Sequence, residues 1–155
     1  MSKPLHRIAG LLAMLCIATF FGATVLTELF GSHDAVARLK SLIVTPGLWI
    51  LIPALAAAGG SGRVLSRHRQ GRLVDAKQRR MPFIAANGAL VLLPCALLLD
   101  QWAGAGSFDA RFYTVQALEL AAGALNLTLM GLNLRDGLRL AGRRKASRST
   151  LPARS

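Results

Sequence analysis

Residues 112–134 read FYTVQALELAAGALNLTLMGLNL. A single charge, Glu119, interrupts an apolar run long enough to carry an α-helix across about 30 Å of hydrocarbon at about 1.5 Å per residue. Its polar and small residues are not scattered. Gln116, Glu119, Gly123, Asn126, Met130 and Asn133 follow one another at alternating spacings of three and four, the seam of a helix packed against partners. Of the polar residues in the core of the span, only Thr128 falls off this seam. Such a face looks into a protein interior or interface and away from lipid.

Three further runs have the same character, at residues 8–30, 42–60 and 82–103. Backbone amides in lipid must be satisfied within their own segment, so these are helices. The first run follows Lys3 and Arg7 but is too long for the apolar part of a signal peptide, and no small-residue cleavage site follows it. It is read as retained. The fold class expected is all-α, an integral membrane four-helix bundle over residues 1–141, with a basic, disordered tail at 142–155.

Composition agrees. The chain has 155 residues, 53% of them hydrophobic, and yet a formal net charge of +12. The charges segregate from the apolar runs, as a bilayer demands. Lys3 and Arg7 precede the first span. Seven basic residues lie between Arg63 and Arg80, and seven more between Arg135 and Arg154, whereas the two remaining connections hold only Arg38, Lys40 and Arg111. The positive-inside rule then predicts both termini and the central loop in the cytoplasm, with residues 31–41 and 104–111 as short outer loops. The size and the asymmetry suit a bacterial inner (plasma) membrane. The same placement explains the basicity without nucleic acid, and no nucleic-acid partner is expected.

Ionisable groups inside a span cost about 2.5–3.5 kcal/mol at its centre and mark either function or interhelical contact. Glu119 lies about 6 Å from the middle of its helix. The candidate intramembrane polar site comprises Glu119, Gln116, Asn126, Asn87 and Glu28. Asn87 opens a second stripe, Asn87, Val91, Pro94, Leu98 and Gln101, and is placed to hydrogen-bond Asn126. Glu28 and Asp100 stand near the outer ends of their helices. A functional reading makes Glu119 a proton or cation carrier, and a structural one makes it an interhelical contact.

Small residues mark further contact faces at Ala56 to Gly60, Ala85 to Ala89 and Ala121 to Ala124. Gly47…Pro53 echoes Gly88…Pro94 at the same internal spacing, and both prolines are expected to kink their helices. Gly59-Gly60-Ser61-Gly62 reads as a helix cap and turn. In the basic loop, Arg67, Arg69, Arg72, Arg79 and Arg80 are candidates to hold anionic lipid headgroups.

Chemistry is sparse. Cys16 and Cys95 both lie in apolar runs and offer no disulfide framework. His6 and His33 are separated by about 40 Å of helix, too far to share a haem, and His68 lies among arginines. No cofactor and no metal are expected; haem b is the alternative, and it usually needs paired axial ligands on facing helices. Catalytic motifs are absent, so no enzymatic activity is expected. Three functional readings follow. The leading one is an accessory, anchoring or assembly subunit of a membrane complex, with another membrane subunit or a second copy as partner. The second is a small proton-coupled transporter working as a dimer through Glu119. The third is a haem- or quinone-linked electron carrier.

Overall fold

The computed structural model describes residues 3–66 and 72–149, with side chains described for 7–61 and 79–139. Every regular element among them is helical: α1 (Lys3–Phe30), α2 (His33–Leu42), α3 (Trp49–Ser66), α4 (Arg72–Asn87), α5 (Leu93–Gly104) and α6 (Ala110–Ser149). Wide, π-type turns over Ile43–Leu48 and Gly88–Leu92 join α2 to α3 and α4 to α5. The result is four helices long and apolar enough to cross a membrane, at Arg7–Phe30, His33–Ser61, Arg79–Gly104 and Ala110–Arg139. This is an all-α four-helix bundle.

The spans close into a ring. The first packs on the second, the second on the third, the third on the fourth and the fourth on the first. Spans 2 and 4 therefore face each other across the interior. One end of the bundle carries Arg7, Arg79, Arg80, Arg135 and Arg139, and is called the basic end. The other holds the two short connections and is called the short-loop end.

Span 2 differs most from expectation. Residues 33–42 form α2, where the sequence suggests an outer loop. Ser32 caps it, its Oγ accepting from the Ala35 amide at 3.3 Å, and Asp34 sits in the first turn where the helix dipole favours an anion. Its charges disguise an amphipathic helix: Asp34 and Arg38 are exposed, whereas Val36, Lys40 and Ile43 turn inward. The helix then breaks at Thr45, whose extended backbone (φ −136°, ψ 110°) is what the ring of a following proline imposes on its predecessor. The Thr45–Pro46 peptide is cis. The break thus falls at Pro46, and Pro53 is carried inside α3.

That break lets one span serve two cores. At the short-loop end, α2 leans on α5, and Val36, Cys95, Leu99, Ala103 and Phe112 form a buried cluster. At the basic end, α3 lies along α1, and Ala13, Ile17, Leu51 and Ala54 form another with Leu127 and Met130 of α6 against it. Phe20 and Phe21 of α1 flank the transition. Phe20 fills the space beside Gly47, and Phe21 the space beside Gly123.

The wide turn in span 3 has a register consequence. An extra residue in a turn rotates the inward face, so the stripe Asn87, Val91, Pro94, Leu98, Gln101 does not hold. Beyond Val91 the buried residues of α5 are Cys95, Ala96, Leu99 and Ala103, while Pro94, Leu98 and Gln101 are exposed. Pro94 sits just after the wide turn, at the start of α5.

The ends of the helices follow local chemistry. Gly106 closes α5 in the left-handed region (φ 69°), with the Ala105, Gly106 and Ser107 amides returning to the Gln101, Ala103 and Trp102 carbonyls. Asp109 starts α6, its Oδ1 accepting from the amides of Arg111 and Phe112 at 3.0 and 3.1 Å. By contrast, the glycine-rich stretch at 59–62 does not end a helix. Ser61 is buried and donates back to the Ala57 and Ala58 carbonyls, and α3 runs on to Ser66. Likewise α6 continues to Ser149, into the segment read as a tail.

A Cβ at Gly47 would stand 2.6 Å from Phe20 Cζ and 3.0 Å from the Leu42 carbonyl oxygen. At Gly88 its nearest neighbour would be Asn126 Nδ2 at 3.8 Å. Gly47→Ala is therefore expected to lower stability by about 1–3 kcal/mol, the range for forcing atoms into a packed core. Gly88→Ala should leave it nearly unchanged. Unfolding of both variants in detergent, followed by tryptophan fluorescence, checks the contrast.

Candidate functional site

The seam of α6 is buried along its length. Gln116, Gly123, Asn126 and Asn133 are buried, Glu119 and Met130 half-buried. One turn beyond Asn133, Asp136 continues it at 2% exposure. Three levels of polar contact tie this face to other helices of the same chain.

At the short-loop level, Lys40 of α2 donates to Glu119 Oε2 at 2.5 Å, and Gln116 Nε2 donates to the same oxygen at 3.2 Å. Lys40 is among the largest fully buried side chains of the described residues, at 1% exposure, and the Glu119 side chain is 13% exposed. The pair joins spans 2 and 4 across the interior of the ring. Two neutralised charges held together are far cheaper to bury than either alone. Glu28 of α1 lies within electrostatic range of Lys40, His33 and Glu119. Cys95 of α5 is within range of Glu119 and Lys40.

At the middle level, Asn87 of α4 donates through Nδ2 to Asn126 Oδ1 and to the Ala122 carbonyl, both at 2.9 Å. Asn126 Nδ2 reaches toward the Ile84 carbonyl at 3.5 Å. This is the interhelical pair that the two sequence stripes suggest. Bonds of this kind contribute about 0.6 kcal/mol on average in membrane bundles.

At the basic end, Arg80 Nη1 donates to Asp136 Oδ2 at 2.8 Å, with Arg135 Nε 3.6 Å from Oδ1. Asp136 was missed from sequence because it lies past the apolar run. Its spacing of three from Asn133 on the same seam is the signal that finds it. Lys40 was missed for a related reason: three charges within seven residues look like a loop until the inward spacing of Val36, Lys40 and Ile43 is read as helical.

The remaining candidates separate. Arg80 is engaged by Asp136, and Arg79 is exposed. Arg67 and Arg69 lie outside the described residues, and of Arg72 only the backbone in α4 is described. His33 stacks on Phe108 in the connection before α6, ring centroids 4.1 Å apart and planes 10° from parallel. Among the described residues no group of three or more His, Cys, Asp and Glu side chains is gathered as a metal site. Gln116 and Glu119 do come together, with Lys40 added and Glu28 within electrostatic range; Asn87 and Asn126 form a separate group one level down.

The chain matches no protein-family model, no curated protein and no solved structure.

Removing one member of a buried ion pair leaves the other charge stranded, at a cost of about 3–5 kcal/mol. Glu119→Leu or Lys40→Met alone should each destabilise the bundle by that order. The double variant, with no charge left to strand, should recover most of the loss. A double-mutant cycle measured by unfolding in detergent reads this directly, and additive losses would show that the two side chains do not depend on each other.

Proposed function

We propose that this small multi-pass membrane protein is an accessory, anchoring or assembly subunit of a larger membrane complex. The observation that carries this reading is a division of labour between its two kinds of contact residue. The polar seam of α6 pairs within the chain, with Lys40, Asn87 and Arg80. Several small residues point the other way. On α3, Ala56, Gly59 and Gly60 are exposed, and so are Ala85 and Ala86 of the neighbouring α4 and Ala89 in the wide turn after it. A Cβ added at Gly59 or Gly60 would meet nothing within 4 Å.

Lipid gains nothing from small residues on a helix face, whereas another helix does, because they allow close backbone approach. These faces suit a helix from another membrane subunit or from a second copy. In this reading no catalysis and no cofactor are required of the chain. The charge distribution supports an orientation with both termini and the basic end in the cytoplasm, as in a bacterial inner membrane. Exposed Arg79, Arg135 and Arg139 would there face anionic headgroups.

The transporter reading stands second. It rests on the charged group around Glu119, but that carboxylate is held by both Lys40 and Gln116 and would have to exchange these partners in each cycle.

Affinity purification from native membranes in a mild detergent, with mass spectrometry of what is recovered, tests the proposal. A stoichiometric membrane protein is expected, and Gly59→Leu with Gly60→Leu should reduce its recovery without lowering the thermal stability of the isolated chain. A preparation containing this chain alone as a monomer would overturn the subunit reading.

A further inference from the structure

Among the described residues, three buried side-chain oxygens have no hydrogen-bond partner: Glu28 Oε1, Gln116 Oε1 and Asn133 Oδ1. Two of them belong to the group around Lys40. Gln116 is 3% exposed, and its amide is anchored there by the bond from Nε2 to Glu119. Its oxygen is thus presented to the interior at the level of the ion pair. Glu28 lies on α1, one turn beyond buried Thr24, and its buried Oε1 is equally unsatisfied.

The Gln116 oxygen, and the Glu28 oxygen when its carboxyl is ionised, are acceptors only, so what completes them is a donor or a cation. Charge narrows the choice. With both ionised, Glu28 and Glu119 bring two carboxylates against the single ammonium of Lys40, which leaves one negative charge in a region where an uncompensated charge is costly. His33, at the start of α2, is within range of Glu28 but is exposed and stacked on Phe108. A divalent ion would overshoot the balance. The available ligands are carboxylate and amide oxygens, which suit hard cations and not soft ones.

We propose that Glu28, Gln116 and Glu119, beside Lys40, form a binding site for one monovalent metal cation, sodium or potassium, in the short-loop half of the bundle. Glu28 supplies the charge, Gln116 a neutral oxygen, and Lys40 holds Glu119 so that the excess negative charge stays at a single position. The site draws on α1, α2 and α6 together, so occupancy ties the first span to the diagonal between the second and fourth. It does not depend on the subunit reading.

The full chain, purified in a non-ionic detergent, is unfolded thermally at fixed pH and fixed ionic strength while choline chloride is replaced by sodium chloride or potassium chloride. A ligand that binds only the folded state raises Tm in a saturable way. The wild type should show such a rise of several degrees with one of the two ions. Glu28→Gln should abolish it, and Gln116→Leu should shift its midpoint at least tenfold higher in cation. Isothermal titration with the same salts gives a second readout, on whichever variant folds. The proposal is overturned if neither ion produces a saturable rise, which is the behaviour of oxygens satisfied by water. It is equally overturned if Glu28→Gln keeps the wild-type response, or if stability follows pH alone and ignores both ions.

Discussion

The contact between Lys40 and Glu119 crosses the centre of the bundle, and much of the architecture is arranged around it. A lysine in a membrane helix must meet a counter-charge or reach water. Lys40 is fully buried, so its ammonium is committed to the carboxylate opposite. For the two to meet, α2 must leave the side of α1 and lean toward α5, which brings Lys40 over α6. The break at Thr45 makes that possible. Without it, a straight second span would lie along α1 over its whole length, and Lys40 would not reach across the ring.

The same break explains why there are two apolar clusters. Each half of span 2 buries its own face, α2 with α5 and α6, α3 with α1 and α6. Phe20 and Phe21 occupy the space where one arrangement gives way to the other, and Gly47 and Gly123 leave room for them. The wide turn at Gly88–Leu92 makes a matching adjustment in span 3, turning Cys95 and Leu99 inward above while Asn87 stays inward below. Packing and polar pairing are thus one problem here. The backbone irregularities that look like defects are what align the buried polar groups.

Pairing along α6 also bears on function. A seam of polar residues on a membrane helix invites the idea of a partner, but in this chain the partners are internal. The surface left for other proteins is a different one, made of small residues on α3 and α4. The group around Glu28 shares Gln116 and Glu119 with the seam but carries acceptors that the chain does not satisfy.

Much of this was legible in the sequence. Four long apolar runs, separated by basic or short segments, specify a helical membrane bundle because hydrocarbon leaves the backbone no other solution. The three-and-four spacing from Gln116 to Asn133 marked the buried face of α6, since a helix repeats its surface every 3.6 residues whatever surrounds it. Asn87 and Asn126 were recognisable as partners because both fall on candidate inward stripes in the same half of their spans. Other features depended on contacts between residues distant in the chain. The local spacing of Val36, Lys40 and Ile43 can mark an inward helical face, but nothing local names the counter-charge; only Glu119, 79 residues away, makes the burial of Lys40 affordable. The effective kink, at Pro46 and not Pro53, and the rotation of the inward face in span 3 arise because neighbouring helices select which of several weak points bends. Periodicity and hydrophobicity are local properties and can be read from the chain. The pairing of buried charges and the choice among possible breaks are energies of the assembled bundle, and only its tertiary structure decides them.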